Sequence, residues 1–336
     1  MILLSVVLPN YNHARYLPGA LDALLAQSRQ ADEVIVVDDG STDDSSSVLE
    51  RYAGQYPAIE VITLGRNEGV VAALNAGLAR ARGQYVYMAA ADDLVMPGFF
   101  ELGLALLEQH PQLGLFTGTT VLRDRDSGRE KGKRPAVWPR YSPGVVTGER
   151  TARLLRSSDN WVLTGASLLS RAAIAEAGGL VPDLGSFADG FLVRKIALTH
   201  GFYFHPRPVA IWNVHRDSVS RRTATVPAEA ARALELYTQR ISDDPVFPPG
   251  YSARFDRRWR FAIARIALEL PACERTAMVT IVARQPVDRR VLLRLAPRLP
   301  LPLATVTSLA WLYLRLRPTT LRGLLASRAA ARMFKA

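Results

Sequence analysis

Two pairs of adjacent aspartates carry the first chemical signal in this 336-residue chain. Asp38 and Asp39 end the stretch "DEVIVVDDG" (32–40), and Asp92 and Asp93 follow "QYVYMAAA" (84–91), each after an apolar run of strand character. Gly40, Ser41 and Thr42 come after the first pair, so turn chemistry accounts for part of it. The other part is a carboxylate placed to accept hydrogen bonds from a ribose hydroxyl or a base N–H. The second pair is different. One acid would cap the helix that Pro97 opens, and a second is then surplus. Adjacent carboxylates repel, so the site favours a cation together with an anionic ligand. A hard divalent ion, Mg2+ or Mn2+, takes few protein carboxylates and fills its shell with phosphate oxygens and water. The chain has no Walker A sequence and no Gly-x-Gly-x-x-Gly after its first strand. A P-loop hydrolase and a dinucleotide oxidoreductase are therefore disfavoured.

These acids must be positioned by the elements around them. Through the first 125 residues, strand-like runs (3–9, 32–40, 59–64, 84–90, 113–122) alternate with segments of helical spacing (15–28, 41–56, 70–83, 96–111). That rhythm predicts βαβ units and an α/β fold with a mostly parallel sheet flanked by helices. Ligands bind at the carboxyl ends of such strands, so both acid pairs point into one crevice. Residues 123–150 read as a loop rich in charge, Pro and Gly. A helix near 148–156, a strand over 161–170, a helix over 187–201 and a strand and loop over 209–222 follow; the remainder reads as helical.

Charge divides the chain. Residues 1–220 hold 21 Lys/Arg against 23 Asp/Glu, whereas residues 221–336 hold 21 against 8, and no acid follows Arg289. A near-neutral front and a basic rear suggest chemistry in front and contact with an anionic surface behind. The uncharged run 299–314 has prolines at 300 and 302 and falls short of the roughly 20 residues of a spanning helix. It reads as an interfacial or re-entrant element between arginine anchors. The tail shows no basic groove interleaved with aromatics, so nucleic acid is not an expected partner. The lone cysteine, Cys273, fits a reducing compartment. "MILLSVVLP" reads as a first strand, not a signal peptide.

The stretches "SVVLPNYNHARYLPGALDALLAQS", "DEVIVVDDGSTDDS", "RNEGVVAALNAGLARARGQYVYM", "ADDLVMPGFF" and "ADGFLVRKIALTHG" occur in an order and spacing that resembles a family 2 glycosyltransferase of the GT-A (Rossmann-like) fold, across roughly residues 3–201. The resemblance implies inverting transfer of a sugar from a nucleotide-diphosphate donor, most simply a UDP-sugar, with a divalent metal at the acid motif. It implies that Pro9, Tyr11, Asn12, Asp38, Asp39, Asn67, Gly69 and Asp92 line the nucleotide site, that Asp92 and Asp93 hold the metal, and that Asp189 is the general base. Two positions depart from the family pattern: Ala90 stands where the acid motif usually begins, and Ala188 stands where a glutamate usually precedes the base. A plain reading of Asp189 is a helix N-cap.

On this reading residues 1–222 form a catalytic domain, with a nucleotide-binding half (1–122) and an acceptor half (123–222). Residues 223–336 form a helical, basic, membrane-associated region. His215 and Arg221 are candidates for diphosphate or acceptor contact, against the plainer reading of loop residues. His13 reads as a surface residue, Trp161 and Trp212 as core, and Lys131, Lys133 and Arg134 as exposed charge on a mobile loop. The expected acceptor is a glycan or lipid-linked glycan, and the expected location is cytoplasmic, at the inner membrane face. The alternatives are a catalytically silent family member that only binds a partner, or a sugar-nucleotide nucleotidyltransferase. The latter lacks its usual Gly- and Lys/Arg-rich loop, because "PNYNHARYL" stands there.

Overall fold

The computed structural model describes residues 3–318, apart from 136, 159–161, 215–222, 224, 268–271, 284 and 296–300. The chain divides into two compact units, one holding the sheet and its helices and one the helices after residue 223.

The first unit opens as the hydrophobic rhythm predicts, with β1 (Leu4–Asn10), α1 (Leu17–Leu25), β2 (Glu33–Asp38), α2 (Ser45–Gln55), β3 (Ile59–Thr63), α3 (Val70–Arg80) and β4 (Tyr85–Met88). These strands lie side by side in the order β3-β2-β1-β4, all parallel. Every residue of β2 and β4 is buried, the signature of strands covered on both faces. Helix α3 can lie close to the sheet because Gly77 has no side chain. A Cβ there would sit 2.3 Å from Cγ1 of Val7.

The second half is mixed. After β5 (Leu94–Val95) and α4 (Phe99–Gln109) come β6 (Leu115–Asp124), β7 (Glu130–Arg134), β8 (Gly144–Val146), α5 (Gly148–Leu155), β9 (Ser167–Ser170), α6 (Arg171–Glu176), α7 (Ala188–Thr199) and β10 (Phe202–Val214). The sheet continues β4-β9-β6-β10-β5, with β9 antiparallel to both neighbours, β6 parallel to β10, β7 on β6 and β8 on β10. Residues 123–150 are therefore not all loop. The polar tip "DRDSGR" is a hairpin turn, in which the Asp124 carboxylate accepts from the Ser127 N–H (2.9 Å) and hydroxyl (2.7 Å), and Lys131 closes on Asp124 at 2.8 Å. Charge hid the strand: β7 reads "EKGKR" and is held by its ladder to β6, not by apolar burial. Lys133 and Arg134 accordingly lie on a strand. Among the described residues of 161–170, Ser167–Ser170 is strand and Thr164–Ala166 form a single 3-10 turn.

At the amino-terminal edge of the sheet a buried acid ties three segments. Glu33 accepts from the Ser5 hydroxyl (2.6 Å), the Arg82 N–H (2.7 Å) and the Arg82 guanidinium (2.9 and 3.0 Å), and Ser5 Oγ accepts from the Gly83 N–H (2.8 Å).

The second unit is helical, as the sequence predicts: α8 (Pro227–Asp243), α9 (Tyr251–Ala267), α10 (Ala272–Val282), α11 (Pro286–Arg290) and α12 (Leu301–Leu316). Its core gathers Ala230, Ile263, Met278, Val282, Leu292 and Leu312. Asp288, buried, accepts from Trp311 Nε1 (3.2 Å) and Arg315 Nε (3.0 Å), fixing α12 against α11. Among the described residues no helix is long and apolar enough to cross a membrane.

Candidate active site

The carboxyl ends of β1 and β2 meet through register. Asn10 lies opposite Asp38, and its Nδ2 donates to Asp38 Oδ1 (2.7 Å) and to Ser41 Oγ (3.1 Å). Ser41 returns its hydroxyl to Asp38 Oδ1 at 2.6 Å. Asn12 takes a left-handed backbone (φ 55°), which asparagine tolerates better than most residues. Its N–H donates to Ser41 Oγ (2.9 Å), and its Oδ1 accepts from the Thr42 N–H (2.7 Å). Asp38 and Asn12 therefore fasten two strand-end loops together. Tyr11 stands out from them, 41% exposed, while Pro9 is partly buried in β1.

Asp39 is directed elsewhere. Its two carboxylate oxygens accept from the Glu68 N–H (2.7 Å) and the Gly69 N–H (2.8 Å), at the start of α3. Gly40 beside it has φ 70°, and a Cβ there would lie 2.7 Å from the Arg66 carbonyl carbon. "DDG" thus seats the loop "RNEG". Gly69, at φ 95°, lets α3 begin there, and Asn67 is presented at the surface.

The second acid pair lies between β4 and β5. Arg125, just past β6, donates a hydrogen bond from Nη2 to Asp92 Oδ2. Its guanidinium carbon lies 4.0 Å from the centroid of Tyr16, in the loop before α1, and its own N–H is held by the Val214 carbonyl at 3.2 Å. Asn213 holds both acids: its N–H donates to Asp93 Oδ1 (2.8 Å) and its side-chain amide to the Asp92 carbonyl oxygen (2.5 Å). Arg123 Nε in turn donates to Asn213 Oδ1 at 2.9 Å. Burial, with the neighbouring Asp92 charge, pushes the Asp93 carboxyl up to about 8, against the Asn213 hydrogen bond. Among the described residues no group of three or more His, Cys, Asp or Glu is arranged to hold a metal ion.

Asp189 lies in the first turn of α7, where the helix dipole favours an anion. Burial raises its carboxyl above the ordinary range; the Thr164 hydroxyl, the Gly190 N–H (2.6 Å) and the Arg194 charge pull the other way. Thr164 belongs to the 3-10 turn, and the next residue, Gly165, accepts from the Tyr87 hydroxyl at 3.1 Å. Burial, with the Asp93 charge, holds that phenol well above its usual value. Asp189 is thereby joined through the Thr164–Gly165 turn to Tyr87, and Tyr87 in turn lies within the field of Asp93.

Several residues in this network escape sequence reading, among them Asn10, Tyr16, Tyr87, Arg123, Arg125, Thr164 and Asn213. In the sequence Arg125 is one arginine in a charged stretch. Its one visible signal is the Asp-Ser-Gly turn (126–128) that follows it where β6 ends. Trp212 departs from expectation: it is 37% exposed, one residue before Asn213, not core. His13 is partly buried against Tyr16 (ring centroids 6.0 Å), not a plain surface residue. His215, Arg221 and Trp161 lie outside the described residues.

A sheet of this topology, with acids at the carboxyl ends of its parallel strands, defines a GT-A glycosyltransferase fold. Solved structures of this fold agree. TarS of S. aureus in complex with UDP-GlcNAc superposes with a TM-score of 0.61 at 17% identity, over 94% of this chain and 90% of that one. A mannosyltransferase of Pyrobaculum calidifontis in complex with GDP-Man and Mn2+ gives 0.57 at 20% identity, over 100% of this chain and 88% of that one. Residues 5–173 match the family described as Glycosyl transferase family 2, and the chain belongs to that family. An uncharacterised glycosyltransferase of Nostoc sp. is 26% identical over 260 residues, 75% of this chain and 78% of that protein. A teichuronic acid biosynthesis glycosyltransferase of Bacillus subtilis, TuaG, whose assignment there is itself provisional, is 33% identical over 120 residues, 36% of this chain and 48% of that protein.

Proposed function

We propose that the protein is an inverting glycosyltransferase that moves a sugar from a nucleoside-diphosphate donor, a UDP-sugar, to a hydroxyl of a glycan or lipid-linked acceptor in cell-surface polysaccharide synthesis. One observation carries the reading: a single carboxylate, Asp189, is held at a helix start with its proton affinity raised by burial, and the Thr164–Gly165 turn beside it accepts from Tyr87, whose phenol feels the Asp93 charge. Inversion in one step needs one base within hydrogen-bond reach of the acceptor hydroxyl, and a raised pKa suits that base to neutral pH. Asp189 takes the proton; the leaving diphosphate departs on the opposite face, at Asp92.

In this reading Pro9, Tyr11, Asn12, Asp38, Asp39, Asn67 and Gly69 frame the nucleotide. Tyr11, Asn12 and Asn67 are exposed, and Asn12, with the buried Asp38 and Asp39, shapes the loops that present them. Asp92 is a cation-accepting carboxylate, as the guanidinium on it indicates. With Asp93 behind it, it fits a divalent ion that brings its other ligands as phosphate oxygens and water. Such an ion, when bound, offsets charge growing on the leaving diphosphate. The basic helical unit would hold the enzyme to an anionic membrane surface at the inner face, within reach of a lipid-linked acceptor.

The test is transfer or donor hydrolysis by purified protein with Mn2+ and a panel of UDP-, GDP- and dTDP-sugars. One donor should turn over, and Asp189→Asn should lose turnover while retaining donor binding. Full activity in that variant would remove Asp189 from the mechanism. Donor binding without turnover in the parent protein would favour a silent binding member of the family.

A further inference from the structure

The Asp92 carboxylate does not wait open for an ion. Arg125 donates to Oδ2, and the two side chains are only 13% and 16% exposed, so this pair is far from a solvated surface contact. The guanidinium is fixed from three directions: by Asp92, by the Tyr16 ring at 4.0 Å, and by a backbone tied to Val214 at the end of β10. Its Nε–H is buried, with no acceptor within hydrogen-bond distance among the described residues. A buried guanidinium donor without an acceptor is costly, and an oxygen anion brought to it would remove that cost. The neighbouring acid offers no second open oxygen pair, because Asp93 is buried with Oδ1 engaged by the Asn213 N–H. Ala90, where a further acid would add charge, adds none.

We propose that Arg125 is the resident counter-ion of Asp92, that it excludes a divalent ion from the donor-free enzyme, and that it passes to the diphosphate when donor and ion arrive together. This rests on the nucleotide-sugar reading above for the identity of the anion, but not for the competition at Asp92. Two cations on one carboxylate repel at short range in a partly buried site. A diphosphate supplies the oxygens that satisfy both, the fork of the guanidinium included. Ordered binding follows from residue geometry alone: ion and donor enter together, and neither the metal nor the guanidinium is left uncompensated.

The measurement is Mn2+ binding, by the loss of the free-ion electron paramagnetic resonance signal and by calorimetry, with and without UDP, on the full chain. The parent protein should take up little Mn2+ alone and much more with UDP. Arg125→Met should bind Mn2+ without nucleotide at least about tenfold more tightly, since no partly buried ion pair has then to be broken. It should also bind UDP more weakly in the absence of metal. Tyr16→Leu, which loosens the guanidinium without removing it, should shift Mn2+ binding the same way by less. It serves as the second variant if Arg125→Met does not fold by circular dichroism. Tight Mn2+ binding by the donor-free parent, or unchanged Mn2+ affinity in the folded variants, overturns the proposal. A failure of every nucleotide to bind, with Mn2+ affinity still raised in Arg125→Met, would strike the donor reading and leave the exclusion standing.

Discussion

Both carboxylate oxygens of Asp39 are taken by the backbone N–H groups of Glu68 and Gly69, at 2.7 and 2.8 Å. An acid expected to reach a nucleotide is thus also the anchor of the loop that opens α3. Asp39→Ala should lower nucleotide affinity and also destabilise the fold by about 2–4 kcal/mol, the cost of two charge-assisted hydrogen bonds to a buried carboxylate. Chemical denaturation beside nucleotide calorimetry separates the two effects. A variant that loses nucleotide with unchanged stability would show that the loop does not depend on this clamp.

Glu33 makes a comparable knot at the opposite edge of the sheet. Burial raises its carboxyl, but the Ser5 hydroxyl, the Arg82 N–H and the Arg82 guanidinium outweigh that and leave it below the ordinary range. A carboxyl lowered by folding adds stability above its unfolded value, and that stability disappears as pH falls through the folded value. Glu33→Gln should therefore cost about 2 kcal/mol at neutral pH. It should also flatten the loss of stability on acidification below about pH 5, where unfolded glutamates take up protons. Thermal melts across that range read both.

Much of this architecture is legible in the chain. β2 is apolar in four of its six positions, between Glu33 and Asp38, and α1 repeats Leu17, Leu21 and Leu24 on one face, so the hydrophobic pattern alone identifies them. β7 is not legible, because "EKGKR" has no apolar alternation and exists through pairing with β6. The acid pairs are visible as sequence, since adjacent aspartates at strand ends are rare enough to notice. Their partners are not. Asn213 reaches Asp93 from 120 residues away, and Arg125 reaches Asp92 from 33. Only the sheet order β6-β10-β5 brings those ends together, and no local pattern encodes it.

Helix α12 offers a test of the membrane reading. Leu303, Val306 and Leu314 are 55%, 64% and 71% exposed, and their spacing places them along one face. Arg315 and Arg317 stand at its end. The protein should co-sediment with vesicles containing phosphatidylglycerol, less so as salt screens the arginines. Leu303→Asp with Leu314→Asp should weaken that binding severalfold while leaving the melting temperature within a few degrees, because exposed positions contribute little to stability. Equal binding by the double variant would place the contact elsewhere.

Asp189 makes the sharpest prediction about catalysis. A base must be ionised to accept the acceptor proton, so kcat/KM should rise with pH through the Asp189 pKa of the free enzyme. Burial raises that pKa, and the acid limb of the profile should lie above the range of an ordinary aspartate. The Thr164 hydroxyl stabilises the charged form. Thr164→Val removes it, favours the protonated carboxyl, and should move the acid limb to higher pH, with the largest loss of activity on the acid side. Thr164→Ser keeps a hydroxyl and should leave the limb in place. Asp189→Asn should lower kcat by about 10^2–10^4-fold at pH above the acid limb, the usual worth of a positioned base, and remove the limb itself. A merely structural Thr164 would scale the whole profile in Thr164→Val without moving it along the pH axis, and that outcome would separate the hydroxyl from the base.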